Sequence, residues 1–407
     1  MLWLPSDDGL LPPSARRAPY VCTVQGRTLG GFQKYVKAPM ITKAVSRRCL
    51  VARAAAGVVA TASSAAASFP APAIAQGLLK LKMVTDWPGQ SKGFQSSAER
   101  LARAIHAASA GRIAIEVFPA NTLVKALETF DAVSAGVADM YHSAEYYWEE
   151  RSPAFTFFAT VPFGLSADEL FAWVHYGGGQ ELWDALGGQF NIKPLLCLNS
   201  GVQMGGWFNG PLTSVGDFKG LRYRMPGQGG EVLRRLGATV VTLPGGDIVQ
   251  ALKSGAIDAS EWVGPWMDMD LGLHRVASHY YYPGFHEPGT GLTVGFNRGV
   301  WDRIAPSDRR LIEDAAAAEY ARGVAEFSAN NAWCLRKLRE EGKVKIAPFD
   351  EAVIRAFLAN SRDVVAKAAT ADDLSRKIYA SYQDFRTAIM DWSDIAERAY
   401  LNSRGLK

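Results

Sequence analysis

At 407 residues, with 48% hydrophobic and 21% charged residues, the chain holds enough apolar material for two domains and is neither a disordered nor a fibrous polypeptide. Its formal net charge is only +4, and part of that surplus sits in a Lys/Arg-rich N-terminal region, so no nucleic-acid partner is read from it. Four cysteines without a CxxC pair and six histidines without an HExxH exclude the commonest zinc signatures.

In chain order, residues 1–39 read as a mis-annotated or disordered extension, with Met40 as an alternative start. Residues 40–76 read as an export signal. Arg47-Arg48 opens it, an alanine-rich and weakly apolar run through Phe69 follows, and Ala73-Ile74-Ala75 supplies an Ala-x-Ala cleavage site, so the signal is removed near Ala75. The paired arginines resemble a twin-arginine signal; an ordinary secretory signal is the other reading. The run is too weakly apolar to anchor in a membrane.

The mature chain opens with a strand at Leu79–Val84, stopped by Pro88, which leaves Trp87 at its carboxyl end. A helix over Phe94–Ala110 places Leu101, Ile105 and Ala108 on one face and closes at Gly111. A strand at Ile113–Phe118 leads through a helix to the polar and aromatic run Tyr141–Trp148, and Glu149-Glu150-Arg151 read as a solvated corner. An apolar segment, Ser152–Phe163, precedes a helix at Trp173–Leu186 and a strand at Ile192–Leu198. The glycine-rich stretch Asn199–Phe208 reads as a strand crossing between lobes. Arg222–Arg224 reads as a strand, Gly227, Gly229 and Gly230 precede a helix at Glu231–Leu236, and Leu292–Asn297 returns to the first lobe. From Pro306 the chain is mostly helical: Leu311–Leu338 capped by Ser307, a strand at Val344–Ile346, a helix after Asp350, and one from Asp372-Asp373 to Tyr400. In the last, Ile378, Tyr382, Phe385, Ile389 and Trp392 recur at three- and four-residue spacing. These helices either cover the lobes or extend outward as a dimer arm. Cys197 and Cys334, the two cysteines of the mature chain, read as free thiols.

An internal repeat organises the middle of the chain. Asp131–His142 (DAVSAGVADMYH) aligns with Gln250–Glu261 (QALKSGAIDASE), setting Ala132 on Ala251, Gly136 on Gly255 and Asp139 on Asp258. Each copy follows a helix and a strand that ends near a proline. Glycine caps are common after helices, so chance is one reading; two similar α/β lobes around a cleft is the other. In the second copy a short strand, Ala256–Ala259, delivers Glu261 and Trp262 to its carboxyl end, where open α/β sheets bind ligands.

Candidate chemistry gathers there. Arg222 and Arg224 flank Tyr223, so they point to opposite faces of a strand. Arg224 suits a carboxylate through two parallel charge-assisted bonds, against a structural ion pair as the plainer reading. Glu261 offers a carboxylate to a hard cation such as Na⁺ or Ca²⁺, Gln203 an amide oxygen, Trp262 its main-chain carbonyl and Glu287 a second carboxylate. Trp87, Tyr147 and Phe163 stand beside turn signals, which favours pocket walls; Trp148, Trp207 and Phe208 default to core. There is no GxSxG, no Walker loop and no dinucleotide fingerprint, and the rival to a binding protein is an exported enzyme with a carboxylate-lined cleft.

The stretches AVSAGVADMYHSAEYYW, SPAFTFFATVPFGL, GVQMGGWF, FKGLRYRMPG, GGDIVQALKSGAIDASEWVGP and YYYPGFHEPG resemble the extracytoplasmic solute-binding proteins of TRAP transporters, over about 200 residues. Within that family the chain is most similar to the branch that binds 2-oxo or hydroxy acids, such as pyruvate or lactate, with a metal ion. The resemblance implies no catalysis and a two-lobe α/β periplasmic-binding-protein fold, with hinge strands and long C-terminal helices. Residues 77–200 would be mainly lobe 1, 201–296 mainly lobe 2 with the crossing strands, and 297–407 a helical region spanning both. It implies that Arg224 grips the substrate carboxylate, that Gln203, Glu261 and Trp262 hold a bridging Na⁺ or Ca²⁺ with Glu287 as a further ligand, and that Trp87, Tyr147 and Phe163 line the pocket. The implied partners are a small organic acid in the periplasm, the transporter's membrane subunits, and a second copy through the C-terminal helix. The sequence departs from the branch at Met225-Pro226-Gly227-Gln228, which leaves the acid's identity open.

Overall fold

The computed structural model describes residues 77–406, so the expectations for 1–39 and 40–76 lie outside the described residues. Its strands, in chain order, are β1 (Leu79–Thr85), β2 (Ile113–Phe118), β3 (Met140–Ser143), β4 (Ile192–Asn199), β5 (Gly206–Phe208), β6 (Arg222–Arg224), β7 (Thr239–Val241), β8 (Ala259–Ser260), β9 (His279–Tyr282), β10 (Gly291–Asn297) and β11 (Lys345–Pro348). They form two sheets, ordered β2-β1-β3-β10-β4 and β11-β9-β5-β8-β6-β7. In the first, β1 runs parallel to β2 and β3, and β10 runs antiparallel to β3 and β4. In the second, β6 runs parallel to β7 and β8, and β5 runs antiparallel to β8 and β9.

The internal repeat is a repeat of structure. Both halves follow strand, helix, strand, helix, strand with the first strand in the middle, giving β2-β1-β3 and β7-β6-β8. Gly136 and Gly255 both take the left-handed conformation, at φ 80° and 70°, which costs glycine nothing. The amides one residue on, Val137 and Ala256, return to the carbonyls of Ala132 and Ala251 at 2.8 and 2.9 Å. Asp139 then accepts the Lys82 amide (2.7 Å) as Asp258 accepts the Arg222 amide (3.0 Å). Each aspartate pins the start of its third strand to the strand beside it. The expected strand at Ala256–Ala259 forms at Ala259–Ser260 instead, because Ala256 and Ile257 still bond the end of the helix.

Residues 200–205 carry the chain from the first sheet to the second and residues 283–290 carry it back, and these two segments bond to each other. The Ser200 amide donates to Thr290 O (3.1 Å), Gln203 to Glu287 O (3.1 Å) and Gly284 to Gln203 O (2.9 Å). The stretch Asn199–Phe208 is therefore not one strand: β4 ends at Asn199, residues 200–205 make the crossing, and only Gly206–Phe208 is strand, as β5. The helix Pro306–Glu341 spans both lobes. It lies so close to β4 that a Cβ on Gly323 would stand 1.9 Å from Leu198 Cδ1. Glu319 binds Arg100 and Ser97 of the first lobe, and Asn331 accepts the Trp266 amide of the second.

Helix boundaries move where glycine and proline decide them. The expected helix at Trp173–Leu186 is two, Ala167–Tyr176 and Gly179–Gly188, parted at Gly178 in the left-handed region. Gly227, Gly229 and Gly230 lie inside the helix Gly227–Arg235 and not ahead of it. A Cβ on Gly229 would meet His286 Cβ at 2.5 Å, so close approach outweighs poor helix propensity. Ala305, not Ser307, precedes the long helix, because Pro306 takes its first turn. Asp350 and Asp372 cap the next two helices as expected. The last, Asp373–Ser393, docks on the first lobe through Ile378 and Tyr382, whose hydroxyl accepts the Leu165 amide at 2.9 Å. Beyond Ser393 the continuing turns bury nothing: Ile395 is 74% and Tyr400 63% exposed. Cys197 and Cys334 are both free. No described helix is long and apolar enough to cross a membrane.

Candidate functional site

Strand alternation on β6 separates the two arginines. Arg222 is exposed and binds Asp258 through Nε (2.9 Å) and Nη2 (2.5 Å). Arg224 is buried at the carboxyl end of the strand, where Nε and Nη2 both donate to Leu243 O at 3.1 and 3.0 Å. Its Nη1 donates to the Glu261 carboxylate, and its guanidinium carbon stands 5.4 Å from the Trp262 ring centroid. Glu261 is the first residue after β8, the strand beside β6, and its amide donates to Arg224 O at 3.2 Å. The repeat thus brings the two charges together at the carboxyl edge of the second sheet.

The crossing segments bring the rest. Gln203 Nε2 donates to Glu287 Oε2 (2.6 Å), Ser200 Oγ (3.0 Å) and Thr290 Oγ1 (3.2 Å). Three acceptors fix the amide's orientation and leave Gln203 Oε1 buried with no partner. Burial, with Glu261 nearby, pushes the Glu287 carboxyl up to about 7, against the opposing charges of His286 and Arg224. His286 Nε2 stands 3.6 Å from Glu261 Oε2, and Glu261, His286 and Glu287 each offer a ligand atom within 4.8 Å of the others. Two carboxylates and a free amide oxygen, buried together, are the donor set of a cation and are costly without one.

The first lobe contributes aromatic groups. Tyr146 and Tyr147 stand on the turn after β3, and the charges of Arg224, Glu261 and Glu287 all act on both phenols. Burial raises the Tyr147 phenol to about 12, opposed by Arg224. Trp87 Nε1 donates to His142 Nδ1 (2.8 Å), so the imidazole's proton is on Nε2, an atom buried without a partner. Burial holds His142 neutral, at about 3. Trp87 packs on Phe94 (4.6 Å between centroids), and Phe94 meets Trp262 of the other lobe at 6.0 Å. Phe163 connects at one remove, its ring 5.9 Å from Phe285, the neighbour of His286. Glu150 and Arg151 are exposed as the solvated corner requires, whereas Glu149 is half-buried and desolvation lifts its carboxyl to about 7 despite Arg234.

Of the expected site residues, the structure gathers Arg224, Gln203, Glu261, Trp262 and Glu287 into one buried cluster, with Tyr147 and Trp87 on the facing lobe. Sequence reasoning passed over Tyr146, His142 and His286. The first two had a signal, since His142 aligns with Glu261 in the repeat and Tyr146 precedes Tyr147. A surface hollow of about 910 Å³, lined by Asn209, His274, Arg275, Lys337 and Lys343 among others, shares no residue with this cluster.

The pattern of one family, described as bacterial extracellular solute-binding protein, family 7, matches residues 85–372. A monocarboxylate 2-oxoacid-binding periplasmic protein of Nostoc sp. (strain PCC 7120) is 37% identical over 324 residues, 80% of this chain and 88% of that one. A TRAP transporter solute-binding protein of Bordetella bronchiseptica superposes with a TM-score of 0.79 at 33% identity, covering 81% of this chain and 97% of its own. That structure is a mixed-occupancy dimer with co-purified calcium and picolinate in one site and the other apo. A TRAP solute-binding protein of Pseudoalteromonas atlantica, with bound sodium and pyruvate, superposes at 0.77 and 34% identity over 80% of this chain and 99% of its own.

Proposed function

The chain belongs to the bacterial extracellular solute-binding proteins of family 7, and on that premise we propose that it captures a small 2-oxo or 2-hydroxy monocarboxylate together with a bridging cation. The family and these relatives are periplasmic binding proteins and not enzymes, and the chain's work is capture and delivery in the periplasm. The observation that carries the reading is the convergence of one guanidinium, two carboxylates and an unpartnered amide oxygen in a buried cluster at the lobe crossing.

Gln203 Oε1, Glu261, Glu287 and the Trp262 carbonyl would hold the ion, whose charge lets two carboxylates tolerate an anionic ligand. Arg224 grips the ligand carboxylate, which takes over the guanidinium edge that Glu261 uses. Tyr147 with Tyr146, Trp87 and Trp262 walls the site and keeps water out, which strengthens every charged contact inside. Gln203 and Glu287 sit on the two crossing segments, so filling the site acts on the hinge itself.

The capture feeds the membrane subunits of a TRAP transporter. The apolar residues left bare after Ser393 support pairing with a second copy of the chain, and the relative from Bordetella bronchiseptica is a dimer. Calorimetry with pyruvate tests the reading: binding is expected in Ca²⁺ or Na⁺ and is expected to fall at least about tenfold after chelation and dialysis. Pyruvate affinity indifferent to every cation would sink it.

A further inference from the structure

Asp268 lies outside the cluster at the lobe crossing, yet its side chain is buried and surrounded by donors. Oδ1 accepts the amides of Val263 and Gly264, both at 3.0 Å. Oδ2 accepts Trp207 Nε1 at 2.8 Å and the Tyr280 hydroxyl at 2.6 Å. Trp207 and Tyr280 stand on β5 and β9, and their rings stack with centroids 3.9 Å apart. One carboxylate oxygen is thereby anchored to the second sheet, and the other holds the two amides that follow Trp262. Hydrogen bonds to an ionised carboxylate are about twice as strong as neutral ones.

Peptide geometry turns that grip into an aim. A trans peptide is planar, and its C=O and N–H point in opposite directions. The Val263 N–H faces Asp268, so the Trp262 carbonyl, which shares its peptide plane, faces away from Asp268. The carbonyls on either side are occupied: Glu261 O accepts Ser260 Oγ at 2.7 Å, and Val263 O accepts the Met204 amide at 3.0 Å. Among the described residues, no donor reaches the Trp262 carbonyl between them. A carbonyl in so buried a residue is normally paired.

We propose that Asp268 is a positioning residue for the binding site: by holding the Val263 and Gly264 amides it turns the Trp262 carbonyl toward the bridging sodium or calcium. The inference rests on the function proposed above and adds to it the residue that aims one of the ion's ligands.

One peptide bond reports on both ends of this link. The chain has two Trp-Val bonds, Trp173-Val174 and Trp262-Val263. Protein carrying ¹³C-carbonyl tryptophan and ¹⁵N-valine therefore gives two HNCO cross-peaks, and that of Trp173-Val174, inside the helix Ala167–Tyr176, is the control. On adding Ca²⁺ and pyruvate the Trp262 carbonyl carbon is expected to shift and the Trp173 carbonyl carbon to stay. Asp268→Ala frees the two amides, so it is expected to weaken Ca²⁺-linked pyruvate binding at least about tenfold and to shrink that shift even when the site is filled. Asp268→Asn still offers the amides an oxygen and is expected to bind within about threefold of the parent, with the shift intact. Tyr280→Phe removes a donor from the other oxygen and is expected to lower the melting temperature while leaving both readouts unchanged.

An Asp268→Ala protein with the parent's affinity and the parent's carbonyl shift would overturn the inference and leave the proposed function standing. So would a Tyr280→Phe protein that loses as much affinity as Asp268→Ala, since lost stability and not lost aim would then be the cause. A Trp262 carbonyl that does not move when Ca²⁺ and pyruvate bind would overturn the inference as well. Pyruvate binding that ignores Ca²⁺ and Na⁺ alike would overturn both the inference and the function it rests on.

Discussion

Arg224 and Glu261 form an ion pair sealed from solvent, each side chain 1% exposed. Such pairs seldom add stability, because desolvating two charges costs about as much as their attraction returns. This one draws together the group suited to a ligand's carboxylate and a group suited to a cation. On the proposed reading Glu261 occupies the guanidinium edge that a ligand carboxylate would use, and the two charges hold each other in place.

Arg224→Ala leaves Glu261 buried and alone, and is expected to cost about 3–5 kcal/mol of folding stability. Pyruvate binding should weaken at least about a hundredfold. Adding Glu261→Gln removes the stranded charge, so the double variant should recover most of the stability and none of the affinity. Denaturant unfolding and calorimetry on the three proteins check this. A double variant that binds as tightly as the parent would remove Arg224 from the site.

A pH dependence follows from Glu145. Its side chain is fully buried, accepts the Tyr141 hydroxyl at 2.8 Å, and has its carboxyl raised from 4.5 to about 7 by desolvation. A carboxyl whose folded pKa lies above its unfolded one favours folding while protonated. The benefit is complete below about pH 4.5 and is lost as pH rises through about 7. Stability should therefore drop by about 2–3 kcal/mol between pH 5 and 8 on this group's account. Glu145→Gln keeps the shape and should flatten that part of the slope. Urea titrations at the two pH values decide it, an unchanged slope in the variant counting against the burial argument.

The repeat was legible because its carriers act locally. Gly136 and Gly255 end helices beside them, and Asp139 and Asp258 stand three residues on at the start of the next strand, although the amides they accept lie 57 and 36 residues back. Arg224 was legible for the same reason, since alternation with Arg222 needs only three residues. The glycines of the helix Gly227–Arg235 misled because their reason is a neighbour nearly sixty residues away, the His286 side chain against Gly229. His286 itself stayed hidden, its meaning resting on Glu261 across a strand, a helix and a turn. Trp87 and His142 meet only when β1 and β3 pair. Sequence pattern conveys periodicity and capping, whereas sites assembled by crossing segments appear only once those segments are bonded.

The segment after Ser393 tests the second copy. It buries nothing within its own chain, and Ile395 and Tyr400 are exposed along with Trp392 just before it. A chain ending at Ser393 keeps Ile378 and Tyr382 docked, so its melting temperature should stay within about 2 °C of the parent at matched low concentration. Its mass by light scattering should be that of a monomer while the full chain's is that of a dimer. Equal masses would locate any pairing elsewhere.

Gln203 separates two roles of one amide. Its oxygen is free and its nitrogen is committed to Glu287, Ser200 and Thr290. Gln203→Leu removes both and should weaken cation-linked pyruvate binding at least about tenfold. Gln203→Glu keeps an oxygen for the ion but sets a carboxylate against the Glu287 oxygen that the amide now reaches at 2.6 Å. Without a cation the two acids repel; with one they share it. The glutamate variant should therefore melt lower than the parent when stripped of metal, and gain more than the parent does on adding a divalent ion. Thermal melts with and without the ion read both numbers. A glutamate variant whose gain is no larger than the parent's would show that Gln203 is not beside the cation.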